Sequence, residues 1–102
     1  RGGVNISPTE VDNVMLSHPK VYEAAAVGVP DVIYGEEVVA YVVAREGQAL
    51  SEDDVKNWCA ESLPEYRVPK GVYFIDALPK NDRGKVRRDD LKVIWQRDHA
   101  AV

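Results

Sequence analysis

Apolar positions fall along the chain in two rhythms, one helical and one strand-like, punctuated by proline and glycine. Between Ser7 and Pro19, Val11, Val14, Met15 and His18 recur at the spacing of one helix face, and Pro19 ends the run. Ser7-Pro8-Thr9-Glu10 marks the start: Ser7 is placed to accept from the Glu10 amide while Glu10 reaches back, and Pro8 suits the first helical position. Ile6 and Val11 are spaced as a hydrophobic staple. VYEAAAVGV at 21–29 is short and rich in valine, which predicts a mostly buried strand, although its alanine triplet leans toward helix. Residues 30–35 read as a loop, and EVVAYVVA at 37–44 has the β-branched content of a second central strand, pairing antiparallel with the first.

The second half repeats the logic. Arg45 to Gln48 make a turn, Leu50 and Val55 form a staple around the cap Ser51, and a helix carries Val55, Trp58, Cys59 and Leu63 inward. Glu52, Asp53 and Asp54 in its first turn complement the helix dipole. Pro64 and Pro69 bracket a turn, VYFI at 72–75 predicts a third strand, 77–85 a loop, and Leu91, Ile94 and Trp95 a short last helix. The resulting fold class is α+β: a small three-stranded sheet with two or three helices over one face, a free face or edge for a partner, and a glycine-rich hairpin or loop at the N-terminus.

Length limits what such a fold can hold. At 102 residues the chain allows one domain with a small core, and a complete multisubstrate active site is not expected. A lone Cys59 forms no internal disulfide and suits a reducing, cytoplasmic compartment. No apolar stretch approaches a membrane span, and the RGGVNISP opening has neither the basic lead nor the apolar middle of a signal peptide. The chain does not start with methionine and reads as part of a longer polypeptide. The net charge of −4 hides an asymmetry: residues 1–79 carry 6 basic and 13 acidic side chains, residues 80–102 carry 7 and 4. An anion is therefore expected to meet the domain near its C-terminal tail.

Two segments are candidates for chemistry. Gly2-Gly3 ahead of Val4-Asn5 allows backbone to approach a ligand closely, though a flexible end or a plain turn before a helix is the plainer reading. The loop Pro79 to Arg88 packs five cations around Gly84, which can turn sharply and project Lys85 as a point charge toward a carboxylate or phosphate oxygen. A solvated basic face is the plainer reading, and a nucleic-acid patch is disfavoured by a pI near 5.1. His18 and His99 lack a neighbouring nucleophile, Cys59 falls on a buried helix face, Trp58 and Trp95 suit core or interface, and no metal-ligand spacing exists.

Taken together these segments give the chain a family likeness. It resembles the C-terminal domain of adenylate-forming enzymes, which include acyl-CoA synthetases, luciferase-like enzymes and the adenylation domains of peptide synthetases. GGVNISPTEVD resembles the glycine-rich motif of that family, HPKVYEAAAVGVPDVIYGEEVVAYVV its middle, and LPKNDRGKVRRDDL its lysine motif, all in order. The resemblance implies a two-step reaction, in which a carboxylate attacks ATP to give acyl-adenylate and pyrophosphate, and a thiol then displaces AMP. It implies that Lys85, on a loop with Arg83 and Gly84, binds carboxylate and phosphate or ribose oxygens in the first step. Gly2, Gly3, Val4 and Asn5 would line the pantetheine channel in the second, after the domain has rotated.

ATP and CoA are thus the implied cofactors, with Mg2+ at the parent enzyme but not on this domain. The implied partners are a large N-terminal adenylation domain, absent here, and a carboxylic acid. The GG-x-N-I-x-P form leans toward acyl-CoA ligases of fatty or aromatic acids. The chain departs from the family at Arg83, where Ser or Thr is common, and at Asp12, where Glu is usual. The isolated chain is expected to fold but not to turn over. Two rivals stand: a peptide-synthetase adenylation domain that loads a carrier protein, and a noncatalytic module that binds nucleic acid through residues 80–97.

Overall fold

In the computed structural model, which describes residues 7–33 and 35–100, helix α1 (Pro8–Leu16) leads into strand β1 (Val21–Asp31) and strand β2 (Gly35–Ala44). Helix α2 (Glu52–Ala60), a 3-10 turn (Glu65–Arg67), strand β3 (Gly71–Phe74) and helix α3 (Arg88–Asp98) follow. The sheet order is β1-β2-β3, with β1 antiparallel and β3 parallel to β2. The parallel pairing follows from α2, because strands joined through a helical crossover return in the same direction.

Helices cover both faces of the sheet, not one. Val11 and Met15 of α1 and Val55 and Cys59 of α2 pack with Ala24, Ala26, Val38, Ala40 and Val42 on the first face. Leu91 of α3, with Leu78, packs with Ala25, Val27, Val39, Tyr41 and Val43 on the second. This settles the alanine triplet. Ala24, Ala25 and Ala26 are each at most 6% exposed, and a strand carrying a helix on either side has room only for small side chains at the crossing points. Burial on both faces also removes the polar alternation by which a strand is usually recognised.

The caps differ from their expected forms at one helix and match at the other. Ser7 is the N-cap of α1, yet its hydroxyl caps no amide; Glu10 instead receives two hydrogen bonds from Arg67 Nη1, at 2.6 and 2.7 Å. At α2 the box closes fully: Asp54 N donates to Ser51 Oγ at 3.1 Å and Ser51 N donates to Asp54 Oδ2 at 3.0 Å. His18 lies beyond the end of α1, where it meets Trp58 edge-on at 4.7 Å. Leu63 lies beyond α2 but is still buried. The last helix is longer than its apolar stripe implied, at 11 residues.

Candidate functional site

The segment from Pro79 to Arg87, expected as an open loop, is a tight hairpin. Lys80 and Val86 form an antiparallel bridge, and Arg87 N donates to the Pro79 carbonyl at 2.8 Å below it. Asn81 N donates to the Lys85 carbonyl at 2.8 Å, and Gly84 N returns to the Asn81 carbonyl at 3.0 Å. The Asn81 side chain fills the turn, its Oδ1 accepting from the amides of Arg83 and Lys85 at 2.9 Å each. Gly84 has φ +82, a conformation in which a Cβ is strained, so the residue type is dictated by the turn. Val86 and buried Leu78 seat the hairpin on the second core.

Of the five cations from Lys80 to Arg88, three are spoken for. Lys80 pairs with Glu23 of β1, Arg87 with Asp90 at 3.0 Å, and Arg88 with Asp12 of α1. Among the described residues nothing pairs with the side chains of Arg83 or Lys85, and both are exposed. Lys85 lines an open groove with Thr9, Gly84, Val86, Arg87, Arg88 and Asp89, at the N-terminus of α3. An ammonium group with three free donors, on a hairpin stiffened from within and near a positive helix end, is suited to anionic oxygens. The acidic residues of the first turn of α3, Asp89 and Asp90, limit the positive field to the hairpin side.

The other candidates separate cleanly. Gly2, Gly3, Val4 and Asn5 lie outside the described residues. Cys59 is fully buried, and burial pushes its thiol up to about 11, so it is no nucleophile at neutral pH. His99 stacks on Trp95 at 4.5 Å between the Tyr73 hydroxyl and the Trp95 carbonyl, a packing role. Among the described residues no group of three or more His, Cys, Asp or Glu is arranged to hold a metal, and no helix is long and apolar enough to cross a membrane. Sequence reasoning missed Asn81, Asp12 and the anchoring role of Arg88; an Asn three residues before Gly in a loop was the available signal for the first.

Residues 10–85 match the AMP-binding enzyme C-terminal domain, a stretch that runs from Glu10 to Lys85 itself. The chain belongs to that family. This AMP-binding C-terminal domain is 49% identical over 88 residues to an oxalate–CoA ligase of Arabidopsis thaliana, covering 86% of the chain and 17% of the relative. It is 46% identical over 91 residues to a CoA ligase of Rhodococcus jostii that acts on a methyl-dioxo-octahydroindenyl propanoate, covering 89% of the chain and 18% of the relative. In three dimensions it superposes on apo MatB of Rhodopseudomonas palustris with TM-score 0.89 and 36% identity, over 93% of this chain and 19% of that one. A Mycobacterium tuberculosis fatty acyl CoA synthetase gives TM-score 0.86 and 35% identity, over 95% and 19%. The AMP-binding C-terminal domain thus spans under a fifth of each of these four relatives.

Proposed function

We propose that the chain is the mobile C-terminal domain of an ATP-dependent acyl-CoA ligase, and that Lys85 is the residue it contributes to adenylation. The observation that carries this reading is the Lys85 ammonium, without a partner among the described residues, on its self-braced hairpin. Docked on a large N-terminal adenylation domain, Lys85 orients the acid carboxylate toward the α-phosphorus of ATP and stabilises charge as the acyl-adenylate forms and pyrophosphate leaves. Arg83, also without a side-chain partner among the described residues, lies two residues away and is available to phosphate oxygens; Gly84 supplies the turn. In the second step CoA thiolate displaces AMP, and we assign Gly2, Gly3, Val4 and Asn5 to the pantetheine channel.

The named relatives act on varied acids, from oxalate to a polycyclic propanoate, so a fatty acid is one substrate class within the proposal. That they are CoA ligases favours free CoA over a carrier protein as acceptor. Mg2+ and the acyl pocket belong to the large domain, and the buried lone Cys59 is consistent with a cytoplasmic setting. The test is Lys85→Ala in the full-length ligase, with each half-reaction measured separately. Acyl-adenylate formation is expected to fall by orders of magnitude while thioester formation from supplied adenylate survives. If neither step changes, the hairpin is a solvated basic face and the reading is wrong.

A further inference from the structure

Strand β1 is an outer strand, so one side of its backbone faces away from β2. At Ala26 both outward groups are used. Ala26 N donates to Asp12 Oδ1 at 2.6 Å, and Ala26 O accepts from Arg88 Nη1 at 2.7 Å. Arg88 closes the triangle on Asp12, through Nη1 at 3.2 Å and through Nη2 to the other carboxylate oxygen. The Asp12 side chain is 13% exposed and the Arg88 side chain 31%. One carboxylate and one guanidinium therefore join α1, the edge of β1 and the first residue of α3, across 76 positions of sequence.

Arg88 follows the last hairpin bond, the Arg87 amide to Pro79, by one residue. A second tie runs from the other leg of the same hairpin, Lys80 to Glu23, three positions along β1. The hairpin is internally stiff, so the direction in which Lys85 projects is set by how its two legs are fixed to β1. The planar fork of Arg88 fixes an angle as well as a distance, which a point charge does not.

We propose that Asp12 and Arg88 are a positioning pair for Lys85: by clamping the backbone of Ala26 they hold the lysine hairpin at the angle adenylation requires. This rests on the role of Lys85 given above. Neither residue touches the reacting atoms in this proposal; the pair acts through the lysine. Displacement of a catalytic group by about 1 Å can cost on the order of 100-fold in rate.

The experiment uses Asp12→Asn in the full-length ligase, because Asn keeps an acceptor for the Ala26 amide while removing the charge that orients Arg88. Arg88→Lys is measured in parallel; it keeps a countercharge on Asp12 without the fork, so that a folding failure in one variant leaves the other to decide. Each half-reaction is followed alone and in combination with Lys85→Ala. Expected is a loss of about 10- to 100-fold in adenylate formation, thioester formation from supplied adenylate within about 2-fold of wild type, and no further loss when the change is added to Lys85→Ala. Equal losses in both half-reactions, or losses that multiply with that of Lys85→Ala, overturn the positioning role and leave the lysine assignment standing. Full adenylation by Lys85→Ala overturns the lysine assignment and the pair with it.

Discussion

At the β1 edge the sheet meets Asp12 and Arg88; at the β3 edge it meets Glu52 of α2, whose Oε2 accepts from the Val72 amide at 2.9 Å and pairs with Lys56 at 3.3 Å. Both are carboxylates placed on an outer strand, where an unpaired amide invites pairing with another chain. They differ in depth and reach. The Glu52 side chain is 46% exposed and serves one amide, so water replaces it at small cost. Asp12 is buried, shares Ala26 with Arg88, and closes a triangle in which every member has a partner. An edge can be protected by a surface contact. Glu52 and Arg88 are each the first residue of a helix held against an edge, but only the buried pair denies water the chance to substitute.

This contrast is broken or sharpened by substitution. Asp12→Ala is expected to cost about 3 kcal/mol in urea unfolding, the low end for removing one member of a buried pair, since Arg88 retains partial access to solvent. Gly84→Ala, which strains the hairpin without touching its anchors, should cost about 1 kcal/mol, with adenylation reduced more than stability. Glu52→Gln should cost less than about 1 kcal/mol, since its bonds lie at the surface; a loss equal to that of Asp12→Ala would erase the distinction between the edges.

The smallest effect is in acid. The Val72 amide first and Lys56 after it hold the Glu52 carboxyl below its usual 4.5, against burial, which pushes the other way. A depressed carboxyl contributes stability above the unfolded value that is lost as pH falls through the folded one. The stability of wild type should therefore drop slightly more steeply than that of Glu52→Gln below pH 4.5, as read by thermal unfolding across that range.

The same comparison shows what the sequence carried. Local signals held: the Ser51 box, the two valine-rich strands and the glycine turn before Lys85 depend on neighbours within about four positions, and each is legible as a pattern. The Ser7 box had the same pattern and does not close, because Arg67, 57 positions away, takes the Glu10 carboxylate. Which of the five cations from Lys80 to Arg88 stay free was hidden for the same reason, since Glu23 and Asp12 are brought to Lys80 and Arg88 by the fold alone. The placement of α3 on the second face was equally hidden: Ala25 and Tyr41 read as strand residues whichever helix covers them.

The hairpin around Lys85 keeps its internal hydrogen bonds between residues 79 and 87. It is a nine-residue cassette whose outline is written locally, while Asp82 and Arg83 at its tip are exposed and bound by little beyond their own backbone. Such a unit can be grafted elsewhere with its shape intact. What a graft would lose is the host's bearing on it, so chains with identical hairpin sequences can differ in activity through residues outside the hairpin.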